Sequence, residues 1–288
     1  MPHTMSRMGD VLAGFHAVWE FESDSVLIRY ERGIRTPKLF QALGERRVPL
    51  SAVDDVTLTP GRRGTVVLRL VPRAGADPLM EAAAGQLKEG ADPYRLVLPA
   101  ERETLAEYYA DELKGRLTGS GPVDRYLVAV PEAPLHFKAA DAKASFDGTS
   151  VQFRWSWTGA SSAKWKAGDQ SFPVTGLSGV EWRSPEVFEG HLRLLPRENG
   201  AERPAQPDQD PASVVFGLGY GPVHESLPFA AAVLAAVRTR PAPAVPVPAR
   251  RDPADIAERI RHLGELHRAG LVTDEEFSSK KAELLAEL

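Results

Sequence analysis

The chain has no cysteine, so disulfide bridges, thiolate metal sites and cysteine nucleophiles are excluded together. It also lacks any apolar run approaching the roughly 18 residues that a membrane-spanning helix needs. Its start, Met1 to Asp10, shows no basic stretch leading into an apolar core of the kind a secretory signal carries, and a cytoplasmic location follows as the expectation. A charge excess is missing as well: 35 Lys and Arg against 39 Asp and Glu leave a formal net charge of -4 over 288 residues. Nucleic-acid affinity draws heavily on phosphate neutralisation, so a near-neutral chain argues against that partner. What is present is the composition of a soluble globular protein, 43% apolar and 26% charged, with length enough for two ordinary domains.

An internal repeat organises most of that length. Val48-Pro49-Leu50-Ser51 returns 124 positions later as Phe172-Pro173-Val174-Thr175, an apolar, Pro, apolar, hydroxyl frame. Leu68-Arg69-Leu70-Val71-Pro72-Arg73 returns at the same offset as Leu192-Arg193-Leu194-Leu195-Pro196-Arg197. Upstream, Phe21-Glu22 with Ser25-Val26 answers Phe146-Asp147 with Ser150-Val151, and downstream Asp92-Pro93 answers Asp210-Pro211. Two copies of one domain explain these ordered matches, and two are too few for a solenoid or propeller.

Within a copy the apolar pattern has period two. Val26, Ile28 and Tyr30 alternate with Leu27 and Arg29, and Leu68 and Leu70 flank Arg69, the signature of short strands. Further runs at Arg46–Leu50, Val53–Leu58 and Tyr94–Leu98, separated by turns such as Pro60-Gly61, predict an antiparallel sheet or sandwich. A helix then closes the copy, with Leu105, Tyr109, Leu113 and Leu117 recurring every fourth residue and Phe229, Val233 and Val237 repeating the pattern after Ser226-Leu227-Pro228. Strands first and a packed helix last make the fold class α+β. The expected domains are residues 1–119 and 120–240, joined by a short flexible link at Thr118–Pro122. A polyproline-type spacer at 241–251 follows, able to reach about 35 Å.

The tail, residues 252–288, reads as a helical hairpin. Asp252-Pro253 suits the start of a helix carrying Ile256, Ile260, Leu263 and Leu266, which Gly270 can end. Thr273 then caps a second helix, Glu276 completes a capping box, and Val272 and Phe277 form a hydrophobic staple. Phe277, Lys281, Leu284 and Leu288 share one face, with the Lys281 stem lying along the apolar stripe. Burying so few apolar side chains does not offset the entropy of ordering the whole hairpin. The stripe is therefore expected to dock on another copy of itself, on the body or on a protein partner. Ile260, Leu263, Leu266, Phe277, Leu284 and Leu288 are the candidate residues for self-association.

Gly270-Leu271-Val272-Thr273, Glu276-Phe277, Lys280-Lys281 and Leu284-Leu285 resemble the SHOCT domain, a short C-terminal helical module implicated in oligomerisation. The two copies before it, through Phe146-Asp147-Gly148 and the Val-Pro or Phe-Pro strand segments, resemble the bacterial domain-of-unknown-function family 4429, often found in tandem ahead of such a tail. That resemblance implies two pleckstrin-homology-like (PH-like) units, each a bent antiparallel sheet capped by one C-terminal helix. It brings no catalytic residues. The first copy departs from the pattern at Phe21-Glu22-Ser23, which lacks the glycine of the second.

Candidates for chemistry are few. His262 and His267 stand five apart on a helix, about 140° from one another, so joint metal binding is not expected. Gly217-Leu218-Gly219-Tyr220-Gly221 is placed to cradle a phosphate but lacks the following Lys and Ser/Thr of a P-loop, and reads as a glycine-rich connection. Asp54-Asp55 is answered by Ser178-Gly179, and exposure at a strand end explains the pair. With no G-x-S-x-G, H-E-x-x-H or Walker lysine, the protein is expected to be no enzyme and to use no cofactor and no metal, an enzyme with an unrecognised site being the remote alternative. One charged stretch has more weight. Arg29, Arg32, Arg35, Lys38, Arg46 and Arg47 stand against Glu31 and Glu45, interleaved with Tyr30 and Phe40, a local excess of +4. The plain reading of the stretch is a mostly solvated face and core; as a loop it would alternatively suit an anionic ligand, a lipid headgroup or phosphorylated group, held by Arg29, Arg32, Arg35 and Lys38. The second copy has Trp155, Trp157, Lys164, Trp165 and Lys166 there instead. The expectation is a non-enzymatic scaffold that self-associates through its tail, with contact to anionic lipid as the alternative.

Overall fold

A computed structural model describes residues 10–197, 204 and 206–239, and in the tail 273, 274, 277, 278 and 281. The chain divides into two units, residues 1–240 and 241–288. The first copy begins with an antiparallel sheet of β1 (Asp10–Ala13), β2 (Ala17–Phe21), β3 (Ser25–Tyr30) and β4 (Glu45–Pro49), paired in chain order. A six-residue helix, α1 (Lys38–Leu43), is inserted before β4, and a one-turn 3-10 helix at Leu50–Ala52 turns the corner. The second sheet is β5 (Val53–Pro60), β6 (Thr65–Pro72) and β7 (Arg95–Pro99), with α2 (Pro78–Ala83) between its last two strands, and α3 (Glu103–Arg116) closes the copy.

The second copy repeats this order of strands. Its first sheet holds β8 (Leu135–Lys138), β9 (Ala142–Phe146), β10 (Ser150–Trp155) and β11 (Gln170–Pro173), with α4 (Ser162–Ala167) inserted before the last strand. A 3-10 turn at Val174–Gly176 leads to β12 (Leu177–Arg183), β13 (His191–Pro196) and β14 (Ser213–Val215), and α5 (Val223–Thr239) ends the unit. Between residues 10 and 239 the described residues thus form four antiparallel sheets and five α-helices, a mixed α+β fold of two repeated units. The offset of 124 read from the sequence carries α1 onto α4 and the first 3-10 corner onto the second.

Several expectations need correction. The 29–47 stretch is no single loop, because it contains α1, whose Phe40 stacks on Tyr30 at 4.7 Å inside the core. The buried face of α3 is Ala106, Tyr109, Ala110 and Leu113, while Leu105 is 42% exposed; the two alanines let the helix approach its sheet, and the leucine falls off the apolar stripe. Thr118–Pro122 is held rather than flexible: Gly121 N–H donates to Asp54 Oδ1 at 2.8 Å, Arg73 donates to the Gly121 carbonyl at 2.8 Å, and Val123 N–H donates to the Ala74 carbonyl at 2.9 Å. Five residues further on, Val128 is buried in the first copy's core.

The two sets of repeated motifs meet in space. Arg69 lies 3.1 Å from Asp92, and Arg193 lies 3.1 Å from Asp210. Each aspartate also accepts the backbone N–H two residues on, from Tyr94 at 3.0 Å and Ala212 at 2.9 Å. The Leu-Arg-Leu and Asp-Pro segments are therefore two ends of one device, tying the middle strand of each second sheet to the turn before its last strand. The turn between the second and third strands differs as its sequence does: Gly148 takes φ +95°, whereas no residue of the Glu22–Asp24 turn has positive φ. A Cβ is strained at that angle, and Asp147 completes the turn by accepting from the backbone N–H groups of Thr149 and Ser150 at 2.7 and 2.8 Å.

The copies are not independent beads. Helix α5 lies against its own sheets and also against α1 and α2 of the first copy. Leu39, Leu79, Ala82 and Ala83 belong to the same buried cluster as the second copy's core. From Leu227 to Val237 α5 has no polar side chain at all, and a helix apolar all round must be covered all round. Alanines on both α2 and α5 allow the close approach. The helix also starts before Pro228 rather than after it; Pro228 has no N–H to give the His224 carbonyl, and separately the Ser226 hydroxyl lies 3.1 Å from the carbonyls of both Gly221 and Pro222 at the helix start.

Candidate functional site

The four candidate anion ligands separate in space. Arg29 sits on β3 and pairs with Glu20 at 2.6 Å and Glu45 at 3.7 Å, so its charge is spent within the sheet. Arg47, on β4, pairs with Glu22. Arg46 points inward and is not part of a surface patch at all: it donates to Asp77 Oδ1 at 2.8 Å, with both side chains buried. Asp77 there also caps α2, accepting from Leu79 N–H at 2.9 Å, and it accepts from the Tyr94 hydroxyl at 2.7 Å. Burial, with Asp77 close by, holds the Tyr94 phenol well above its ordinary range. This is a structural clasp joining β4, α2 and the approach to β7.

Arg32 and Arg35 remain at the tip of the segment between β3 and α1, exposed and without an ion-pair partner among the described residues. Between them Ile34 is completely exposed. In the second copy the matching segment has an exposed Trp157 edge-on to Trp165, with ring centroids 5.5 Å apart. Trp155 and Lys164 are core there. The Lys164 ammonium is fully buried 2.5 Å from Asp141, and burial lowers its pKa against the pull of that carboxylate. Asp54 and Asp55 are exposed at a bulge of β5, where they accept backbone N–H groups from Gly121 and Val56 at 2.8 Å each.

Lys38 stands apart from the tip. It opens α1 and lines a cavity of about 420 Å³ on the seam between the two copies. The first copy contributes Lys38 and Leu39, together with Leu87, Lys88 and Ala91 from the segment after α2. The second contributes Glu186, the glycine-rich connection 217–221 and His224 near the start of α5. Gly217 and Gly219 make part of the wall from backbone alone, and Gly219, at φ +80°, has nothing within 4 Å of where a Cβ would stand. Beside them Gly221 N–H donates to the Lys138 carbonyl at 2.6 Å, and the Lys138 ammonium sits 5.0 Å from the Tyr220 ring centre. Lys88 and Glu186 pair across the seam at 3.1 Å. Nearby, the Gln86 side-chain amide donates to the Trp182 carbonyl at 3.0 Å and accepts from Ser184 N–H at 2.9 Å. It does for the edge strand β12 what a neighbouring strand would do. Sequence reasoning missed this seam, although the unbroken apolar run of α5 was the signal that something must cover that helix.

In the tail, Phe277 N–H donates to the Thr273 carbonyl at 2.9 Å and the Lys281 ammonium lies 5.7 Å from the Phe277 ring centre. Asp274, Phe277, Ser278 and Lys281 are helical and Thr273 is not, which puts a helix start where the capping signals put it. Ile260, Leu263, Leu266, Leu284 and Leu288, the proline-rich spacer 241–251, and His262 and His267 lie outside the described residues. Among the described residues no three His, Asp or Glu side chains cluster as a metal site, and no helix is long and apolar enough to cross a membrane.

The duplicated fold defines the class of protein. The chain belongs to the family described as Domain of unknown function (DUF4429), which matches residues 19–114 and again 144–234. Residues 258–285 match the Short C-terminal domain, SHOCT. No curated protein matches the chain.

Proposed function

We propose that this protein is a non-enzymatic scaffold in which a fused pair of PH-like repeats is carried into assemblies by its C-terminal helical hairpin. The observation that carries the reading is the division of the chain: residues 241–288 separate as a unit of their own from the two-repeat body. The match to a Short C-terminal domain over 258–285 supports an association role. So does the small apolar stripe of that segment, which gains from burial against a second copy. The non-enzymatic part rests on the absence of recognisable catalytic motifs in the sequence. Light scattering tests the reading. The full chain is expected above monomer mass and the 1–240 truncation at monomer mass with unchanged far-ultraviolet circular dichroism. A full chain of monomer mass, or equal association in the truncation, contradicts it.

A second reading, peripheral contact with anionic lipid, is favoured by one observation: the fully exposed Ile34 between two unpaired arginines, Arg32 and Arg35. An apolar side chain between cations suits the boundary of headgroup and acyl chain. Two basic contacts of about 1 kcal/mol each correspond to roughly 30-fold in affinity. R32Q/R35Q should therefore abolish pelleting with phosphatidylserine vesicles at low salt. Wild-type protein that ignores such vesicles rejects this reading and leaves the first untouched.

A further inference from the structure

The cavity on the seam between the repeats is lined by residues of the two-repeat body. We infer that it is a binding site for a small organic anion with an apolar body, such as an aryl or acyl carboxylate, sulfonate or phosphate ester. Its volume of about 420 Å³ falls within the roughly 300–1,000 Å³ typical of small-molecule sites. Most of the lining is apolar, with Pro37, Leu39, Leu87, Ala91, Pro222 and Val223 forming the walls. These walls suit a hydrocarbon or aromatic body.

The charged groups at the cavity decide the sign of the ligand. Lys88 and Glu186 neutralise each other at 3.1 Å. Glu225 lies 3.8 Å from His224 Nε2 but is exposed and does not line the cavity. That leaves Lys38 as the cation without a carboxylate partner among the described residues, facing a cavity whose only lining carboxylate is already paired. Lys38 is itself exposed, so its pull on an anion is that of a solvated charge and weakens with added salt. His224 adds a proton-linked component. Burial holds its pKa below the ordinary histidine value, against the pull of Glu225 and reinforced by Lys38. An anion entering beside it favours the protonated ring, so binding takes up a proton and tightens as pH falls through the histidine range. Because both repeats line the cavity, an occupant is held by both at once.

The test uses the full chain and 8-anilinonaphthalene-1-sulfonate, an aromatic anion whose fluorescence reports an apolar site. Uncharged N-phenyl-1-naphthylamine is its control. One sulfonate site per chain is expected. Removing a hydrogen bond to a charged group at this position corresponds to about tenfold in affinity. K38Q should weaken the sulfonate by that factor and leave the neutral dye within twofold. A91W, which places an indole in the cavity without changing charge, should abolish both, with circular dichroism confirming the fold. H224Q should remove the tightening at low pH. No saturable sulfonate binding, binding unaffected by A91W in folded protein, or equal affinity in K38Q each overturn the inference, K38Q being an exposed position where folding is not at stake.

Discussion

The closing helices of the two repeats occupy the same place in the same element order, yet their surroundings differ. Only four of the 14 residues of α3 are buried, against nine of the 17 of α5. The first repeat completes its core from its own sheets, α3 and the chain that follows, including Val128. The second completes its core with Leu39, Leu79, Ala82 and Ala83 of the first. One helix, α2, which the first repeat inserts between its last two strands, covers the neighbouring repeat. The seam, with its cavity and its Gln86 strand cap, is a product of that asymmetry.

The asymmetry can be broken at its anchor. Asp77 starts α2, neutralises Arg46 and holds the Tyr94 hydroxyl. Asp77→Ala leaves a buried guanidinium unpaired, at a cost of about 3–5 kcal/mol in urea unfolding. It should lower the protection of α5 amides along with those of the first repeat, because α2 loses its cap; loss confined to the first repeat would separate the two cores. A smaller effect follows at Gln86. Gln86→Ala strands the Trp182 carbonyl and Ser184 N–H and should cost about 1–3 kcal/mol. The fastest-rising hydrogen exchange should appear in β12, while β5, its counterpart in the first repeat, stays unchanged.

The smallest effect distinguishes the two strand turns. Hydrogen bonds from the Thr149 hydroxyl first, then from the Ser150 and Thr149 amides, hold the Asp147 carboxyl well below its ordinary pKa. A carboxyl depressed in the folded state adds stability that is complete above its unfolded pKa and is lost as pH falls through the folded value. Carboxyl NMR should therefore show Asp147 still ionised at pH values where an ordinary aspartate is protonated. The Thr149 and Ser150 amides should shift only at still lower pH, and Asp147→Asn should remove that titration. Asp147 titrating in the usual range would contradict the geometry of the turn.

Much of this was legible in the sequence, for physical reasons that particular residues show. The repeat, its register and most strands follow from period-two patterning, because one face of each sheet is buried and the other wet. The Arg69–Asp92 and Arg193–Asp210 pairs were visible as repeated words but not as partners, since contact across more than 15 residues leaves no periodic trace. Helices α1 and α4 are not legible because six residues are too few to show a helical period, and nothing in the basic stretch around α1 separates the core residues Arg46 and Phe40 from the exposed Arg32 and Arg35. The seam cavity was the least legible of all. It is assembled from Lys38, Lys88 and the 217–221 connection, which lie far apart in the chain and meet because α1 and α2 both pack on α5.

The central claim is that the first repeat completes the second repeat's core against α5 and so couples the two, and hydrogen exchange of the full chain across a urea series tests it most directly. Amides of β2 and β3 in the first repeat and of β9 and β10 in the second should lose protection at one common urea concentration, together with α5. Two separated midpoints, with the second repeat opening while the first stays closed, would contradict it.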